Sequence, residues 1–263
     1  MAGQDWNAID AHEVETLENL FEQDADRLSA LSMELGGLYF DWSKTHLDGA
    51  LLEAFVDVTQ SSQFAATRDA LFSGANVNPT EGRPADHVAE RGTGAPDAVE
   101  LAAARRGRMR SLVDAIEAGA FGDINGVLHI GIGGSVLGPA LLVDALGRQT
   151  DRIEVRFLSN VDGAAFDDAV STLDPETTLI VTVSKTFTTA ETLANMNAAI
   201  AWLQEAGVED PFGRVIAVTA RPEAAVDAGI DETRILQFSE GVGGRYSLWS
   251  GVSLSVALAL GWS

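Results

Sequence analysis

Residues 127–139, Val-Leu-His-Ile-Gly-Ile-Gly-Gly-Ser-Val-Leu-Gly-Pro, place a short apolar run directly before a glycine-rich turn. The apolar run predicts a buried strand, and Pro139 stands where the first turn of a helix tolerates proline. Glycines let backbone N–H groups approach a ligand closely, and a helix N-terminus attracts anions. With the hydroxyl group of Ser135, the loop is a candidate phosphate site. The alternative is a tight strand-to-helix turn without a ligand.

Further strands are predicted downstream by four apolar runs, at residues 155–158, 178–183, 215–219 and 234–238. Helical stretches lie between the runs, at residues 139–146, 164–173, 189–206 and 222–228. This alternation predicts an α/β fold, with helices on both faces of a mostly parallel five-stranded sheet. In such sheets ligands bind beyond the carboxyl ends of the strands, so the residues after the first and third strands are the first candidates for chemistry.

The N-terminal part has a helical texture. Leucine and phenylalanine recur at helical spacing from Leu17 to Leu35, and the pattern predicts helix over residues 11–71 with a break at 41–44. A helix rich in alanine and arginine is predicted at residues 98–118.

Composition excludes several classes of function. The 263 residues carry 17 basic and 39 acidic side chains, a net charge of −22, which disfavours binding to nucleic acid or to a membrane surface. The absence of cysteine excludes disulfides, thiolate zinc sites and a cysteine nucleophile. The first residues show no secretory signal, so we expect a cytoplasmic protein.

The second candidate loop is Ser184-Lys-Thr-Phe-Thr-Thr-Ala-Glu-Thr192, after the third strand. It carries five hydroxyl groups and one of the two lysines of the chain at another helix start. Two such loops at neighbouring strand ends favour a phosphate site. The alternative is a capping box, in which Thr188 binds the amide of Glu191 and Glu191 reaches back.

The third candidate loop is Gly241-Val-Gly-Gly-Arg-Tyr-Ser-Leu-Trp249. Its glycines permit close backbone approach, and Arg245 can stabilise a developing oxyanion. The alternative is a surface arginine in a flexible loop. The nearly uncharged run at residues 246–263 contains four internal serines, which favours a buried helix over a membrane span. We expect further chain or a partner to cover that helix.

Two other interpretations are weaker. The dinucleotide fingerprint fails at Val136 and no P-loop lysine is present, which disfavours a nicotinamide-dependent dehydrogenase. His129 lies inside a predicted strand, and we expect a hydrogen-bonded core histidine rather than a base.

Several strings together resemble the glucose-6-phosphate isomerase family in order and spacing: residues 129–139, 159–163, 184–192 and 243–250. Residues 40–44 and 78–83, with His87, are similar to the family's N-terminal segments. The resemblance implies an aldose–ketose isomerase of glycolysis and gluconeogenesis that interconverts glucose 6-phosphate and fructose 6-phosphate through a cis-enediolate.

The resemblance also implies a fold of paired α/β sandwich domains. Residues 1–121 would be a helical segment of the large domain, 122–240 the three-layer sugar-isomerase-type (SIS) domain, and 241–263 the start of the rest of the large domain. By similarity, the substrate phosphate is held by Ser135, Ser184, Lys185, Thr186 and Thr189. Gly134 and Gly244 place backbone near the sugar, and Arg245 stabilises the enediolate as the catalytic cation. No cofactor or metal is expected.

Members of the family are about twice as long as this chain. The resemblance places their catalytic glutamate, a ring-opening histidine from a neighbouring subunit and a late lysine beyond residue 263. Glu191 and Glu240 do not match the motif of that glutamate. We therefore expect the N-terminal half of an isomerase, inactive by itself and homodimeric at full length. The alternative, a non-catalytic sugar-phosphate-binding regulatory module, is disfavoured because such modules usually lack the string at residues 243–249 and the N-terminal helical segment.

Overall fold

The computed structural model describes residues 6–60, 62–149 and 152–262. The N-terminal residues 1–5 and the last residue of the apolar run, Ser263, lie outside the described residues. The chain divides into two compact units, one ending at Ala70 and the other beginning at Leu71. The predicted domain boundaries after residues 121 and 240 stay predictions.

Short elements make up the chain before Gly74. They are α1 (Asn7–Asp10), α2 (Leu17–Gln23), α3 (Arg27–Ala30), β1 (Ser32–Leu35), β2 (Leu38–Asp41), α4 (Gly49–Gln60) and α5 (Ser62–Phe72).

The helical prediction is wrong for residues 32–41, where β1 and β2 form an antiparallel hairpin. Its two-residue turn consists of Gly36 and Gly37, with φ angles of 60° and 79°. Glycine adopts this left-handed backbone without strain, and a turn with both central residues at positive φ matches the twist of paired strands. The two glycines therefore outweighed the helical spacing of the leucines around them.

The second unit alternates helices and strands as the apolar runs predict. Its elements are α6 (Pro96–Glu117), β3 (Gly126–Ile130), α7 (Leu137–Leu146), β4 (Glu154–Leu158), α8 (Gly163–Val170), β5 (Thr178–Val183), α9 (Ala190–Glu205), β6 (Val215–Thr219), α10 (Pro222–Asp227), β7 (Ile235–Gln237) and α11 (Leu254–Leu260). The five strands lie in the order β4-β3-β5-β6-β7, and each pairing is parallel. The predicted α/β fold with a parallel five-stranded sheet is confirmed.

Alternating side chains of the strands face two apolar cores. On one face, Leu128 and Ile180 pack with α8, α9 and α10. On the other face, Val127 and Val181 pack with α6 and α11. The sheet is thus the middle layer of a three-layer sandwich, and burial on both faces explains why its strands are continuous apolar runs.

The helix within the apolar C-terminal run is covered by the chain itself, whereas Tyr246 and Trp249 at the start of the run are exposed. Only Leu254–Leu260 is α-helix, preceded by two short 3-10 helices at Gly244–Trp249 and Gly251–Ser253. Leu254 and Leu258 are fully buried, and α11 contacts α6, α7 and β4. The expectation that α11 needs a partner or further chain to cover it is wrong. After β7 the chain turns back to the face of the sheet that carries α6, and α11 packs there. Within the described residues, no helix combines the length and apolarity that crossing a membrane requires.

Candidate functional site

The sheet brings two of the candidate loops to one edge. β3 and β5 are parallel neighbours, with Ile130 opposite Thr182 at their carboxyl ends. The loop after β3 and the loop after β5 therefore begin side by side, although a whole strand and two helices separate them in sequence.

A pocket of about 270 Å³ lies between these loops and the third candidate loop. All seven predicted substrate-binding residues line it: Gly134, Ser135, Ser184, Lys185, Thr186, Thr189 and Gly244. Ile132, Val183 and Thr192 complete the lining. The structure thus collects the three loops at one place, and the role of each residue in binding stays a proposal.

The first and third loops meet backbone to backbone. A Cβ placed on Gly134 would lie 2.1 Å from the carbonyl oxygen of Gly244 and 2.8 Å from the amide nitrogen of Arg245. The Ser247 hydroxyl donates to the Gly244 carbonyl at 2.8 Å and holds the third loop in its 3-10 turn. Only a residue without a side chain at position 134 permits this contact.

The second loop is folded around the hydroxyl group of Ser184. This oxygen accepts the amide of Phe187 at 3.2 Å and lies 3.2 Å from the hydroxyl of Thr189. Phe187 is buried with a φ of 53°, the one non-glycine residue at positive φ among those the structure describes. Such a conformation is costly and is characteristic of sites where geometry matters more than local stability.

The capping box, the alternative interpretation of this loop, is absent. The N-cap of α9 is Thr189, not Thr188, and its side chain accepts no hydrogen bond from the helix. Thr188 instead donates its hydroxyl to Thr186 Oγ1 at 2.8 Å, and Glu191 is exposed. The first-turn amides of α9 therefore have no side-chain cap from the N-cap residue, which leaves the positive end of the helix dipole available to an anion.

Lys185 joins the second loop to the third. Its Nζ donates to the carbonyl of Val242 at 3.0 Å. Burial lowers the pKa of the Lys185 ammonium below its usual range, and Arg83 lowers it further, whereas Glu81 and Glu240 oppose the shift. The backbone carbonyl of Lys185 accepts a hydrogen bond from the amide of Ala220 at 3.0 Å.

Arg245 lies beside the pocket and does not line it. Its side chain is exposed, and it makes no hydrogen bond or ion pair within the part of the chain that the structure describes. The next residue, Tyr246, stacks on the ring of His87 with centroids 4.6 Å apart. The predicted enediolate-stabilising cation is thus an exposed guanidinium, unpaired among the described residues, on the residue that follows Gly244 of the pocket lining.

Three lining residues were not among the seven predicted ones, and Thr192 is the one of them that carries a hydroxyl group. Thr192 is 1% exposed, it lines the pocket, and its hydroxyl makes no hydrogen bond with the described residues. It lies three residues after Thr189, on the same face of α9, so helical spacing from Thr189 was the signal that could have found it.

The prediction for His129 is confirmed. The ring is fully buried, with Nδ1 2.8 Å from Ser255 Oγ and Nε2 2.7 Å from the carbonyl oxygen of Ser135. Burial lowers the pKa of His129 to about 4, although the hydrogen bond to Ser135 opposes the shift. The side chain is therefore neutral near pH 7.

Comparisons with known proteins bear on the family and the fold of the chain. The sequence profile of the family described as phosphoglucose isomerase matches residues 41–263. A glucose-6-phosphate isomerase from Rhizorhabdus wittichii is 59% identical over 257 residues, covering 98% of this chain and 51% of the relative. One from Sphingopyxis alaskensis is 55% identical over 263 residues, covering 100% of this chain and 52% of the relative. The chain spans about half the length of the curated relatives it matches.

The fold has a counterpart of known structure. The crystal structure of a glucose-6-phosphate isomerase from Chlamydia trachomatis superposes with a TM-score of 0.80 and 24% sequence identity, over 94% of this chain and 50% of that one. This likeness concerns the fold, whereas the profile covers both the sheet and the three loops of the pocket. On that match, the chain belongs to the phosphoglucose isomerase family.

Proposed function

We propose that this chain supplies the phosphate-binding side of an enzyme that interconverts glucose 6-phosphate and fructose 6-phosphate through a cis-enediolate. The observation that carries the proposal is the meeting of three loops at one pocket, lined by hydroxyl groups, an ammonium and glycine backbone. Membership of the family supports the same reaction. The substrate is a sugar phosphate, and the site requires no metal or cofactor.

The hydroxyl-rich end of the pocket receives the phosphate. Ser184 and Thr189 present hydroxyl oxygens 3.2 Å apart, and the uncapped first turn of α9 lies beside them. Ser135 and Thr186 add two more hydroxyl groups, and Lys185 adds a positive charge. Hydrogen bonds to a charged phosphate are stronger than bonds between neutral groups, so this set can hold a dianion against the net charge of −22.

The glycine-lined end receives the sugar. Gly244 leaves room for the ring because it carries no side chain, whereas the place of a Cβ on Gly134 is taken by the Gly244 backbone. Arg245 follows Gly244 in the chain. Its exposed guanidinium makes no hydrogen bond or ion pair with the described residues, so no such contact has to break when the guanidinium turns toward the substrate. The negative charge of the enediolate develops on the oxygens bonded to carbons 1 and 2. A guanidinium near those oxygens lowers the energy of the enediolate.

The proton transfer between carbons 1 and 2 needs a base that this pocket does not offer. Among the described residues, no carboxylate lines the pocket. Glu191 is exposed, and Glu240 is paired with Arg221. We therefore propose that the base comes from residues outside this chain and that the chain alone binds substrate without turning it over. From the family resemblance we also propose that the complete enzyme is a cytoplasmic homodimer.

Calorimetric titration with glucose 6-phosphate tests the phosphate site. We expect Ser184→Ala and Thr186→Ala each to weaken binding about tenfold, because each removes a hydrogen bond to a charged group. Ser171→Ala, an exposed serine outside the pocket, is the control and should leave the affinity unchanged. Equal affinity for the wild type and both pocket variants would refute the assignment of the phosphate site.

An isomerase assay tests the assignment of the base. The chain alone should show no conversion of fructose 6-phosphate, whereas its fusion to the portion of the Rhizorhabdus wittichii relative outside the match should restore turnover. Measurable turnover by the chain alone would show that a base within it suffices.

A further inference from the structure

His129 is a buried titratable residue that the proposed reaction does not use. Its ring lies in β3 and has hydrogen-bond partners at both nitrogens, the carbonyl oxygen of Ser135 and the hydroxyl of Ser255. The ring of Phe157 packs against it with centroids 5.1 Å apart. These contacts hold the imidazole in one orientation.

The partners also determine the tautomer. A carbonyl oxygen can only accept, so Nε2 must carry the hydrogen and donate it to Ser135. In the neutral ring Nδ1 is then an acceptor, and the Ser255 hydroxyl donates to it. Each of the two hydrogen bonds thus has one permitted direction.

The hydrogen bond from His129 is the side-chain contact that holds the Ser135 carbonyl, whereas the third loop holds the same loop at Gly134, through the Gly244 backbone and the Ser247 hydroxyl. The loop contains Gly131, Gly133 and Gly134, and Gly133 has a φ of 58°. Two backbone turn bonds span it, from the Ser135 amide to the Ile132 carbonyl at 3.2 Å and from the Val136 amide to the Gly133 carbonyl at 3.1 Å, and neither involves the Ser135 carbonyl. The peptide unit is planar, so fixing the Ser135 carbonyl also fixes the Val136 amide and the position of the Ser135 Cα, from which the side chain enters the pocket lining.

We propose that His129 is a positioning residue for the phosphate loop: its Nε2–H holds the Ser135 carbonyl so that the Ser135 side chain faces the pocket. The consequence for binding rests on the proposed function, because the ligand is the sugar phosphate. His129 contacts no substrate and acts only through Ser135. The position of the imidazole is fixed by the backbone of β3, which carries His129, and by the hydrogen bond to Ser255 of α11.

A matched pair of variants tests the proposal. In His129→Gln, the side-chain amide nitrogen reaches the place of Nε2 and can still donate to Ser135. In His129→Asn, the shorter side chain reaches only the place of Nδ1. Both substitutions put a neutral amide into the same core site, and because His129→Asn also removes a buried methylene group, the melting temperature of each variant is measured beside its affinity.

Calorimetry with glucose 6-phosphate should find the affinity of His129→Gln within about threefold of the wild type. His129→Asn should be weaker by about tenfold, the usual worth of one hydrogen bond. A purely structural role predicts that both variants lower the melting temperature and bind equally well once folded. That result would overturn the proposal.

Two measurements do not depend on the ligand. Hydrogen exchange of the Ser135 and Val136 amides should be faster in His129→Asn and nearly unchanged in His129→Gln. If His129→Asn fails to fold, nitrogen NMR of the wild-type imidazole decides, because a hydrogen on Nδ1 instead of Nε2 would leave Ser135 without its donor and refute the proposal. Should the wild type bind no sugar phosphate, the proposed function fails while these two measurements still judge the role of His129.

Discussion

Gly134 and Gly244 touch through their backbones, so closely that a Cβ on Gly134 would lie 2.1 Å from the Gly244 carbonyl oxygen. No side chain is involved on either side. Relief of such an overlap requires one whole loop to move, because the obstacle is backbone and not the flexible end of a side chain.

Gly134→Ala should therefore lower the free energy of unfolding by about 2 kcal/mol, as overpacking of a close contact does. It should also separate the first loop from the third and weaken the binding of glucose 6-phosphate. Gly163→Ala is the control, since a Cβ there meets open space at the start of α8. Chemical denaturation measures both variants, and similar stabilities for the two would contradict the close contact.

Lys185→Met should weaken binding of inorganic phosphate about tenfold, because it removes a charge from the pocket and the hydrogen bond to Val242. The affinity of the variant should also depend less on salt. The chain provides its own control in Lys44, its only other lysine, which is exposed. Phosphate titrations at two salt concentrations compare Lys185→Met with Lys44→Met, and equal affinities would remove Lys185 from the site.

Arg245→Met should leave the free energy of unfolding unchanged within about 0.5 kcal/mol, because the side chain is exposed and unpaired within the described residues. In the active fusion protein the same change should reduce kcat by about 10²-fold or more, with little effect on the binding of glucose 6-phosphate. Denaturation and steady-state kinetics measure the two effects. A loss of stability without a loss of kcat would give Arg245 a structural role instead.

The buried imidazole of His129 makes stability depend on pH. Its pKa is about 4 in the folded chain and near 6.5 when exposed, so between these values the unfolded state holds a proton that the folded state does not. The stabilising contribution is complete above pH 6.5 and is lost as the pH falls through 4. It amounts to about 3 kcal/mol.

His129→Gln lacks this titration, so the stability difference between wild type and variant should shrink by that amount from pH 7 to pH 4. Urea titrations at a series of pH values measure the difference. If the free energies of unfolding of wild type and variant change in parallel with pH, the pKa of His129 is not lowered in the folded chain.

The parallel sheet was predictable because its strands are buried on both faces. Every residue of Thr178–Val183 is buried, which requires an unbroken apolar or β-branched run of the kind that stands out in a sequence. The positions of the loops followed, since the carboxyl ends of neighbouring parallel strands share an edge. The seven individual lining residues were named by the resemblance to the isomerase family and not by the strand pattern, which indicated only the first two loops.

Features that depend on competition between local and distant contacts were not predictable. The capping box at Thr188 fits the local sequence, yet the hydroxyl binds Thr186 and the helix begins one residue later. The leucine spacing around Gly36 indicated helix, whereas two adjacent glycines directed the chain into a hairpin. The cover over α11 comes from α6, α7 and β4, which are distant in sequence, and no local pattern reveals those contacts.

The side-by-side ends of β3 and β5 have a consequence for folding. Neither loop can assume its final place until the two strands have paired, so the pocket is absent from the unfolded ensemble. A ligand that bridges both loops binds only the assembled sheet and stabilises it by mass action. The melting temperature of the whole second unit should then rise with the concentration of that ligand. A ligand in this small pocket would thus stabilise the entire sheet that forms the pocket.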